Sequence, residues 1–391
     1  MAISPKRRIQ MLQILAITLF WLLCGVLLTF YKCVTYASET GRFVFLVPWN
    51  LSLGNYLLIN MVGPLVAGPL GGSFLVLYLN ERMRSSSYLR YQLASTLFFF
   101  VFIVCLNCLV SYSFYYQSEI LSSTTPFREA VQLLFDPYAI RNILTWMAIA
   151  FLTLHGLRVT EKYGPAAYFR LLIGKFHRPR EVERVFMFLD LSNATAIAER
   201  LGHRRFFELL REFYADATEP ILNCRGQIYQ YVGDEICVSW PIPPGKGGGL
   251  NILQCFFQIE QAMARQAQKY RDHYGLVPAF KAALHYGSVV EGEMGVVKRE
   301  IVYSGDILNT TARILEQCRH YKQKLIVSQD VLQTISPEAA GHYNLVPLGN
   351  LLLRGKQRPV HLFGLSSKQV SAVTPAVKSE YFPGKRIVQQ A

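Results

Sequence analysis

This sequence contains few charged residues. Only 17% of its 391 residues are charged, whereas 51% are hydrophobic, and this imbalance excludes a protein that is soluble along its whole length. The shortage is concentrated before about residue 160, where the chain is rich in aromatic residues. The eight cysteines are scattered, and the CxxC spacing of Cys105 and Cys108 falls inside an apolar run, so a disulfide framework is not expected.

Four segments in this first part are long and apolar enough to cross a membrane. The first three contain roughly 20 or more mostly apolar residues, enough for a hydrocarbon core about 30 Å thick. A signal peptide is the alternative for the first segment, but its apolar run is too long and no clear cleavage site follows. The predicted spans are residues 11–31, 56–79, 93–116 and about 143–159.

Basic residues flank these segments on one side. Lys6, Arg7 and Arg8 precede the first span, and a second basic group, Arg82, Arg84 and Arg90, lies between the second and third. The positive-inside rule therefore predicts a multi-pass protein of the cell inner (plasma) membrane. Its N-terminus and everything after the fourth span are expected in the cytoplasm.

Other absences narrow what the membrane part does. His155 is the one histidine near a span, so two membrane histidines of one chain cannot hold a haem, and no mid-span lysine is available for a retinal Schiff base. The net charge of +14 is unaccompanied by zinc-finger or RNA-binding signatures, so we expect a lipid bilayer rather than nucleic acid as partner. The spans are predicted to form an anchor, dimeriser or sensor.

The composition divides the chain into four parts. We predict a transmembrane anchor or sensor domain at 1–160, a juxtamembrane linker at 161–184, a cytosolic domain at 185–365 and a flexible tail at 366–391. Mixed helix and hairpin patterns in the third part favour an α+β sandwich. The predicted strands and hairpins are 185–189, 227–240, 279–285, 289–302, 325–327 and 351–365; the predicted helices are 194–201, 204–214, 251–273 and 309–317, with a loop at 241–249.

Two carboxylates each end a predicted strand, Asp190 and Asp234. Alone, Asp190 suits a helix cap and Asp234 a hairpin turn. Together they could hold two divalent cations, about 3.5–4 Å apart, for in-line phosphoryl displacement.

Farther on, Asn309 and Arg313 lie one helical turn apart and share a face of the predicted helix. An arginine there suits the negative charge that develops on a phosphorane-like transition state. Arg354 lies at a basic turn that suits either solvent or a polyphosphate.

Four motifs in order resemble the class III nucleotidyl cyclases, over about residues 185–365. FLDL at 188–191 and YVGD at 231–234 resemble the two metal sites of that family. HYGSVVEGEMG at 285–295 is similar to its dimer-arm strand pair, and SGDILNTTAR at 304–313 to its transition-state helix. The preceding GKFHRPREVER at 174–184 resembles the linker of membrane-anchored bacterial members.

The resemblance implies a fold and a set of roles. It implies a four-span α-helical bundle followed by an α+β cyclase domain with a ferredoxin-like βαββαβ core. Asp190 and Asp234 would hold two Mg²⁺ or Mn²⁺ ions per site, while Asn309 would orient the ribose and Arg313 would stabilise the α-phosphate. Thr195 matches the phosphate-loop threonine, and Arg354 matches the basic residue on the terminal phosphates. Since the metal and Asn/Arg sets come from opposite subunits in this family, a head-to-tail homodimer is implied.

The base-reading positions depart from the family pattern. Adenylyl members usually have lysine where this chain has Gln230, and aspartate or threonine where it has Val302; guanylyl members have glutamate at the first position. A glutamine amide both donates and accepts, so Gln230 fits adenine without excluding guanine or a pyrimidine. Asn193 and Ala194 also replace the usual Gly-Phe before Thr195. We expect a membrane-bound adenylate cyclase acting on ATP; a guanylate or other nucleotidyl cyclase, or a silent nucleotide-binding signalling module, is the alternative.

Overall fold

A computed structural model of the chain describes residues 5–40, 46–47, 51–83, 86–117, 135, 137–163, 174, 178–243, 249, 251–297, 299–335 and 341–368. The chain divides into two compact units, Met1–Lys175 and Phe176–Ala391. Most of the predicted tail, much of the linker and part of the 241–249 loop lie outside the described residues.

The first unit is helical. Four of its helices are long and apolar enough to span a membrane, over Lys6–Thr35, Asn60–Arg82, Tyr88–Leu109 and Ala139–Thr160. Pro64 and Pro69 lie inside the second helix, which continues through a π-helical segment, Phe74–Leu79, and a last turn, Asn80–Arg82. The elements are α1 (Pro5–Thr40), β1 (Leu46–Val47), β2 (Leu51–Ser52), α2 (Leu53–Ser73), α3 (Tyr88–Gln117) and α4 (Pro137–Tyr163).

The second unit contains eight strands and six helices among its described residues. The strands are β3 (Arg180–Leu191), β4 (Gln227–Val232), β5 (Glu235–Pro241), β6 (Phe280–Met294), β7 (Glu300–Ser304), β8 (Leu325–Ser328), β9 (Tyr343–Leu351) and β10 (Val360–Ser367). The helices are α5 (Ala194–Leu201), α6 (His203–Asn223), α7 (Asn251–Arg265), α8 (Ala267–Tyr274), α9 (Asp306–His320) and α10 (Gln329–Thr334).

All eight strands join one sheet. Its order is β4-β5-β3-β6-β8-β10-β9, with β7 paired to the far half of β6. Counting β3, β4, β5 and β6 as strands one to four, with helices after the first and third, gives a βαββαβ unit in the order 2-3-1-4. All three pairings in this unit are antiparallel. This is the ferredoxin-like core that the family resemblance implied.

The central strand β3 supplies side chains to both faces of the sheet. Because successive strand residues point to opposite faces, Val185, Met187 and Leu189 enter the core beneath α6 and α7. Phe186 and Phe188 enter the second core, beneath α9. A continuous apolar run is typical of a strand buried on both faces. In β3 this run ends at Asp190, so the Asp190 carboxylate lies at the end of a buried strand.

Several element boundaries differ from those predicted. β3 begins at Arg180, so its first residues fall in the predicted linker. Arg184 is buried there despite its charge because Gln227 and Ser239 accept its hydrogen bonds.

The predicted helix over 251–273 is two helices, with a break at Gln266. The terminal hairpin is displaced: its first strand already ends at Leu351. α9 begins at Asp306 rather than at Asn309.

The core beneath α6 provides a direct stability test. Phe213 is fully buried there against Phe280, whereas Phe207 on the same helix is 68% exposed. Phe213→Ala should lower the free energy of unfolding by about 3–5 kcal/mol, because it opens a cavity. Phe207→Ala should change it by less than about 0.5 kcal/mol.

The measurement is urea unfolding of a fragment that begins at residue 176. Unfolding is monitored by the fluorescence of Trp240, which is the one tryptophan of that fragment. Equal midpoints for the two variants would contradict the assignment of Phe213 to this core.

Candidate active site

The first carboxylate, Asp190, ends the buried run of β3. By alternation its side chain lies on the same face as Phe188, the face that α9 covers. Its sheet neighbours are Glu235 on β5 and Lys281 on β6. Lys281 Nζ lies 3.1 Å from Asp190 Oδ2, and both side chains are about three-quarters covered. The strand pairing thus supplies a fixed counter-charge for Asp190.

The second carboxylate, Asp234, lies in the two-residue turn between β4 and β5. Gly233 before it has φ 62°, a conformation that glycine adopts readily. The Tyr214 hydroxyl of α6 donates to the Gly233 carbonyl at 2.6 Å, and its ring stacks on Tyr231 with centroids 4.6 Å apart. The turn is therefore held against a helix, and the carboxylate is not on a loose hairpin tip.

The two carboxylates lie within hydrogen-bonding reach of each other. Burial, then a hydrogen bond to Asp190 and then its charge, raise the pKa of Asp234 from 3.8 to about 6. Burial also raises the pKa of the neighbouring Glu235, and the charges of Asp190 and Asp234 add to this. A pair of like charges that share a site favours a bound proton or a cation between them.

These residues fit a divalent cation. Mg²⁺ is bound through one or two carboxylates while waters and substrate phosphates complete its shell, and Asp190 with Asp234 offers that number. Among the described residues no group of three or more His, Cys, Asp or Glu side chains is placed to hold a metal. An all-protein cage is thus not present there, and substrate phosphates would have to supply part of the coordination.

Lys281 was not predicted from the sequence, although a signal was available. It interrupts the apolar run of β6, where Phe280, Ala282, Ala283 and Leu284 are buried. A lysine in such a run is unusual unless it has a partner. The partner, Asp190, could not be named without the strand register.

Thr195 lies in the first turn of α5 and is exposed. Two residues earlier, Asn193 adopts the left-handed conformation, with φ 58° and ψ 32°. Asparagine is one of the few non-glycine residues that tolerate it. Asn193 therefore adopts a backbone conformation that is typical of glycine. The presence of Asn193 and Ala194 in place of the family's usual Gly-Phe does not by itself require a different backbone path for this loop.

Gln230 is placed by an irregularity in β4. The register with β5 shifts between Ile228, opposite Val238, and Gln230, opposite Cys237, which leaves Tyr229 as an extra residue. Such a bulge turns two consecutive side chains towards one face. Tyr229 packs into the core beneath α9, while Gln230 is exposed. This bulge was not predicted.

Val302 lies on β7 opposite Gly292. The next residue, Tyr303, donates its backbone N–H to the Tyr229 hydroxyl at 3.3 Å, and the two rings lie 4.8 Å apart. The Arg184 guanidinium lies 4.7 Å from the Tyr303 ring centroid. Since Gln230 follows Tyr229 and Val302 precedes Tyr303, the structure brings both predicted base-reading positions into one region of one chain.

Asn309 and Arg313 lie on the outer side of α9. The opposite side of the helix is buried against the sheet through Ile307, Thr311 and Ile314. Asn309 is exposed, and Arg313, about two-fifths exposed, forms an ion pair with Glu316 at 2.6 Å. Within the described part of the chain, no hydrogen bond or ion pair joins Asn309 or Arg313 to either site carboxylate.

Arg354 lies in the exposed loop between β9 and β10. Gly355, with φ 80°, forms the turn, and Lys356 pairs with Asp306 at the start of α9. This contact ties the Arg354 loop to the helix of Asn309 and Arg313. The predicted residues therefore form two groups, one around the paired carboxylates and one around α9.

The chain is similar to known proteins both in sequence and in solved structures. The chain is 34% identical over 215 residues to "Adenylate cyclase 2" of Rhizobium meliloti, an alignment that covers 55% of this chain and 58% of that relative. No family model matches. In the solved structures it is similar to a bacterial light-regulated adenylyl cyclase (TM-score 0.48, 18% identity, 59% of this chain and 67% of that one) and to the guanylyl cyclase Cya2 (TM-score 0.42, 21% identity, 48% and 93%).

The sequence relative and the four ordered motifs agree with each other and with the observed core. The second unit is similar to class III nucleotidyl cyclase domains in these motifs, in its ferredoxin-like core and in its sequence relative, and four candidate membrane-spanning helices precede it. The chain spans just over half the length of this relative.

The paired carboxylates make a pH prediction. The pKa of Asp234 is higher in the folded chain than its ordinary value of 3.8, so its contribution destabilises the fold as pH rises from about 4 through about 6. With EDTA present, Asp234→Asn should therefore resist urea better than the wild type at about pH 7.5, and the difference should vanish near pH 4.

Asp190→Asn is the matched variant, because it removes the neighbouring charge and hydrogen bond and should weaken the same pH dependence. Urea midpoints across this pH range provide the measurement. If wild type and Asp234→Asn have the same midpoints at all pH values, the pKa of Asp234 is not raised in the folded chain.

Proposed function

We propose that this protein is a membrane-bound adenylate cyclase that converts ATP to 3′,5′-cyclic AMP and pyrophosphate. The main support is the facing pair Asp190 and Asp234, whose mutual repulsion creates a place for positive charge. The similarity to a protein named adenylate cyclase adds support for the base. In the reaction, the ribose 3′-oxygen bonds to the α-phosphorus while the α-phosphorus–oxygen bond to pyrophosphate breaks, and the hydroxyl proton is released.

Two Mg²⁺ or Mn²⁺ ions held by Asp190 and Asp234 would neutralise the triphosphate and lower the pKa of the 3′-hydroxyl. Lys281 keeps Asp190 in place at 3.1 Å and reduces the net negative charge of the pair. Thr195, exposed in the first turn of α5, is available to hydrogen-bond a phosphate.

Asn309 and Arg313 are proposed to act on the α-phosphate and ribose. Both lie on the outer side of α9, one turn apart, so a ligand can reach them from outside the fold. Arg313 would exchange its ion pair with Glu316 for the phosphate whose negative charge grows in the transition state. Arg354, tied to the same helix through Lys356 and Asp306, would bind the terminal phosphates.

The proposed active form is a head-to-tail homodimer. Each chain has both groups of residues, yet Arg313 and Asn309 face outwards and, within the described part of the chain, form no hydrogen bond or ion pair with Asp190 or Asp234. A two-fold arrangement would place the α9 group of one chain over the carboxylates of the other and produce two equivalent sites. The family resemblance implies the same division.

The base preference is proposed as adenine. Gln230 is exposed, in the region where Tyr229 and Tyr303 meet, and its amide can offer both a donor and an acceptor. Guanine and pyrimidine bases remain alternatives for such an amide, and a silent nucleotide-binding module is the alternative to an enzyme.

The proposed location is the cell inner (plasma) membrane, multi-pass, with the N-terminus and the cyclase domain in the cytoplasm. It is supported by the four candidate spans and by the basic residues at their N-terminal flank and in the second connection.

Complementation tests the reaction and the dimer together. Asp234→Asn and Arg313→Ala full-length chains, each expressed alone, should lose cyclic AMP formation by roughly 10²–10³-fold or more. When the two are co-expressed with different affinity tags and purified through both, one of two sites is intact. Activity should then return to about half of the wild-type value per dimer.

The matched control pairs Asp234→Asn with Asp190→Asn, which are both on the carboxylate side and leave no intact site. Cyclic product is assayed with ATP, GTP, CTP and UTP in the presence of Mn²⁺. Wild-type protein that binds nucleotide but forms no cyclic product contradicts the enzyme proposal. Full activity of either single variant contradicts the roles assigned, and restored activity in the control contradicts the division between subunits.

Gln230 provides a separate test of the base. Gln230→Lys should increase the ratio of ATP to GTP turnover by roughly tenfold, because a lysine donates to adenine N1 and repels the protonated N1 of guanine. Gln230→Glu should shift the ratio the other way. If kcat/KM ratios are the same in all three proteins, Gln230 does not contact the base.

A further inference from the structure

The four-helix unit contains a polar cluster to which each long helix contributes one side chain. Lys32 of α1 donates to Asn60 Oδ1 of α2 at 3.3 Å and to Asn142 Oδ1 of α4 at 3.2 Å. Asn142 Nδ2 donates to Asn107 Oδ1 of α3 at 2.7 Å, and Asn107 Nδ2 donates to the Ile103 carbonyl at 2.9 Å. The hydrogen bonds therefore run in one direction from the ammonium group through two amides.

The cluster lies at one end of the bundle. Lys32 and Asn107 are near the C-terminal ends of the first and third candidate spans, and Asn60 and Asn142 are near the N-terminal ends of the second and fourth. Because consecutive spans alternate in direction, all four positions belong to the same end. At the other end, Lys6 and Glu81 form an ion pair at 2.6 Å.

Lys32 is turned into the bundle rather than out of it. A lysine close to a span end normally extends to the interface, whereas this one hydrogen-bonds two neutral amides between helices. Among the acidic residues of this unit, Glu81 is the one whose side chain the structure describes. It lies at the opposite end of the helix bundle. Among the described side chains, the charge of Lys32 is thus not balanced by a carboxylate. Intramembrane charges retained in this way are typical of binding sites.

A cavity of about 100 Å³ adjoins the cluster. It is many times the space that one water molecule needs, about 10–15 Å³ on the same measure. The walls combine the three amides with apolar and aromatic groups: Asn60, Asn107, Asn142, Trp21, Pro64 and Trp146. Trp21 and Trp146 lie against each other with ring centroids 5.7 Å apart.

The amide orientations define what the cavity offers. The oxygens of Asn60 and Asn142 accept from Lys32, and that of Asn107 accepts from Asn142. Asn107 and Asn142 each have two N–H groups and use one in these bonds. Asn107 and Asn142 can therefore each donate one further hydrogen bond, close to the positive charge of Lys32 and beside the two tryptophan rings.

We propose that this cavity binds a small carboxylate with a short apolar part. The carboxylate accepts from the Asn107 and Asn142 amides near Lys32, and the apolar part lies against Trp21 and Trp146. The cavity volume favours a short chain. The site is separate from the cyclase residues, so it stands or fails independently of the proposed reaction.

Butyrate and its neutral isostere butyramide test the proposal. The full-length protein, in nanodiscs of phosphatidylcholine, is titrated with each probe while tryptophan fluorescence and thermal unfolding are followed. Butyrate should give a saturable change and raise the unfolding temperature, with butyramide weaker by at least about tenfold. Lys32→Met should weaken butyrate by at least about tenfold and abolish the preference.

Lys6→Met is the control, because it removes a lysine that is paired at the opposite end, and it should leave butyrate binding unchanged. Lys32→Arg retains the charge and should retain the preference for butyrate, which keeps the test valid if Lys32→Met does not fold. Adding palmitate to the bilayer distinguishes the source of the carboxylate: displacement of butyrate indicates a lipid ligand, and no displacement a water-soluble one. No saturable butyrate binding, equal binding of both probes, or unchanged binding by Lys32→Met would overturn the proposal.

Discussion

The second unit depends on one unfavourable interaction, the closeness of two carboxylates at the edge of its sheet. β3 carries Asp190 to that edge, and the Tyr214-supported turn brings Asp234 beside it. The two strand neighbours of Asp190 are a lysine and a glutamate, so the surrounding charge offsets only part of the repulsion. The fold can maintain this arrangement because β3 is buried on both faces and cannot shift its register without exposing apolar residues.

The second group of residues follows from the same sheet. α9 covers the face on which Asp190 lies, and by burying one side it presents Asn309 and Arg313 on the other. α9 thus covers the face of the sheet that carries Asp190 and directs its own polar residues outwards. In the proposed cyclase, this separation of the two groups gives the association of two chains a functional role.

The sequence predicted the parts of the site that depend on local patterns. Asp190 ends an apolar run and Asp234 follows a glycine in a short turn, so both could be placed by reading along the chain. The Tyr229 bulge, the Lys281 partner and the chain of amides around Lys32 depend on pairings between residues far apart in sequence. Strand lengths were underestimated for the same reason: the ends of β3 and β6 have polar residues and are strands because they pair with each other and with β7.

The pairing of β3 with β6 also has a consequence for synthesis. β3 is complete about one hundred residues before β6, its longest partner, and about fifty before β5. At about 5–20 residues per second, this central apolar strand waits roughly 5–20 s for β6 after it is translated. Until β4 and β5 have followed it, its phenylalanines have no sheet to enter, so the nascent chain exposes an apolar segment soon after the membrane helices have been made. Chaperone contact at this stage of translation would protect a run of residues, Val185 to Leu189, that the folded protein buries.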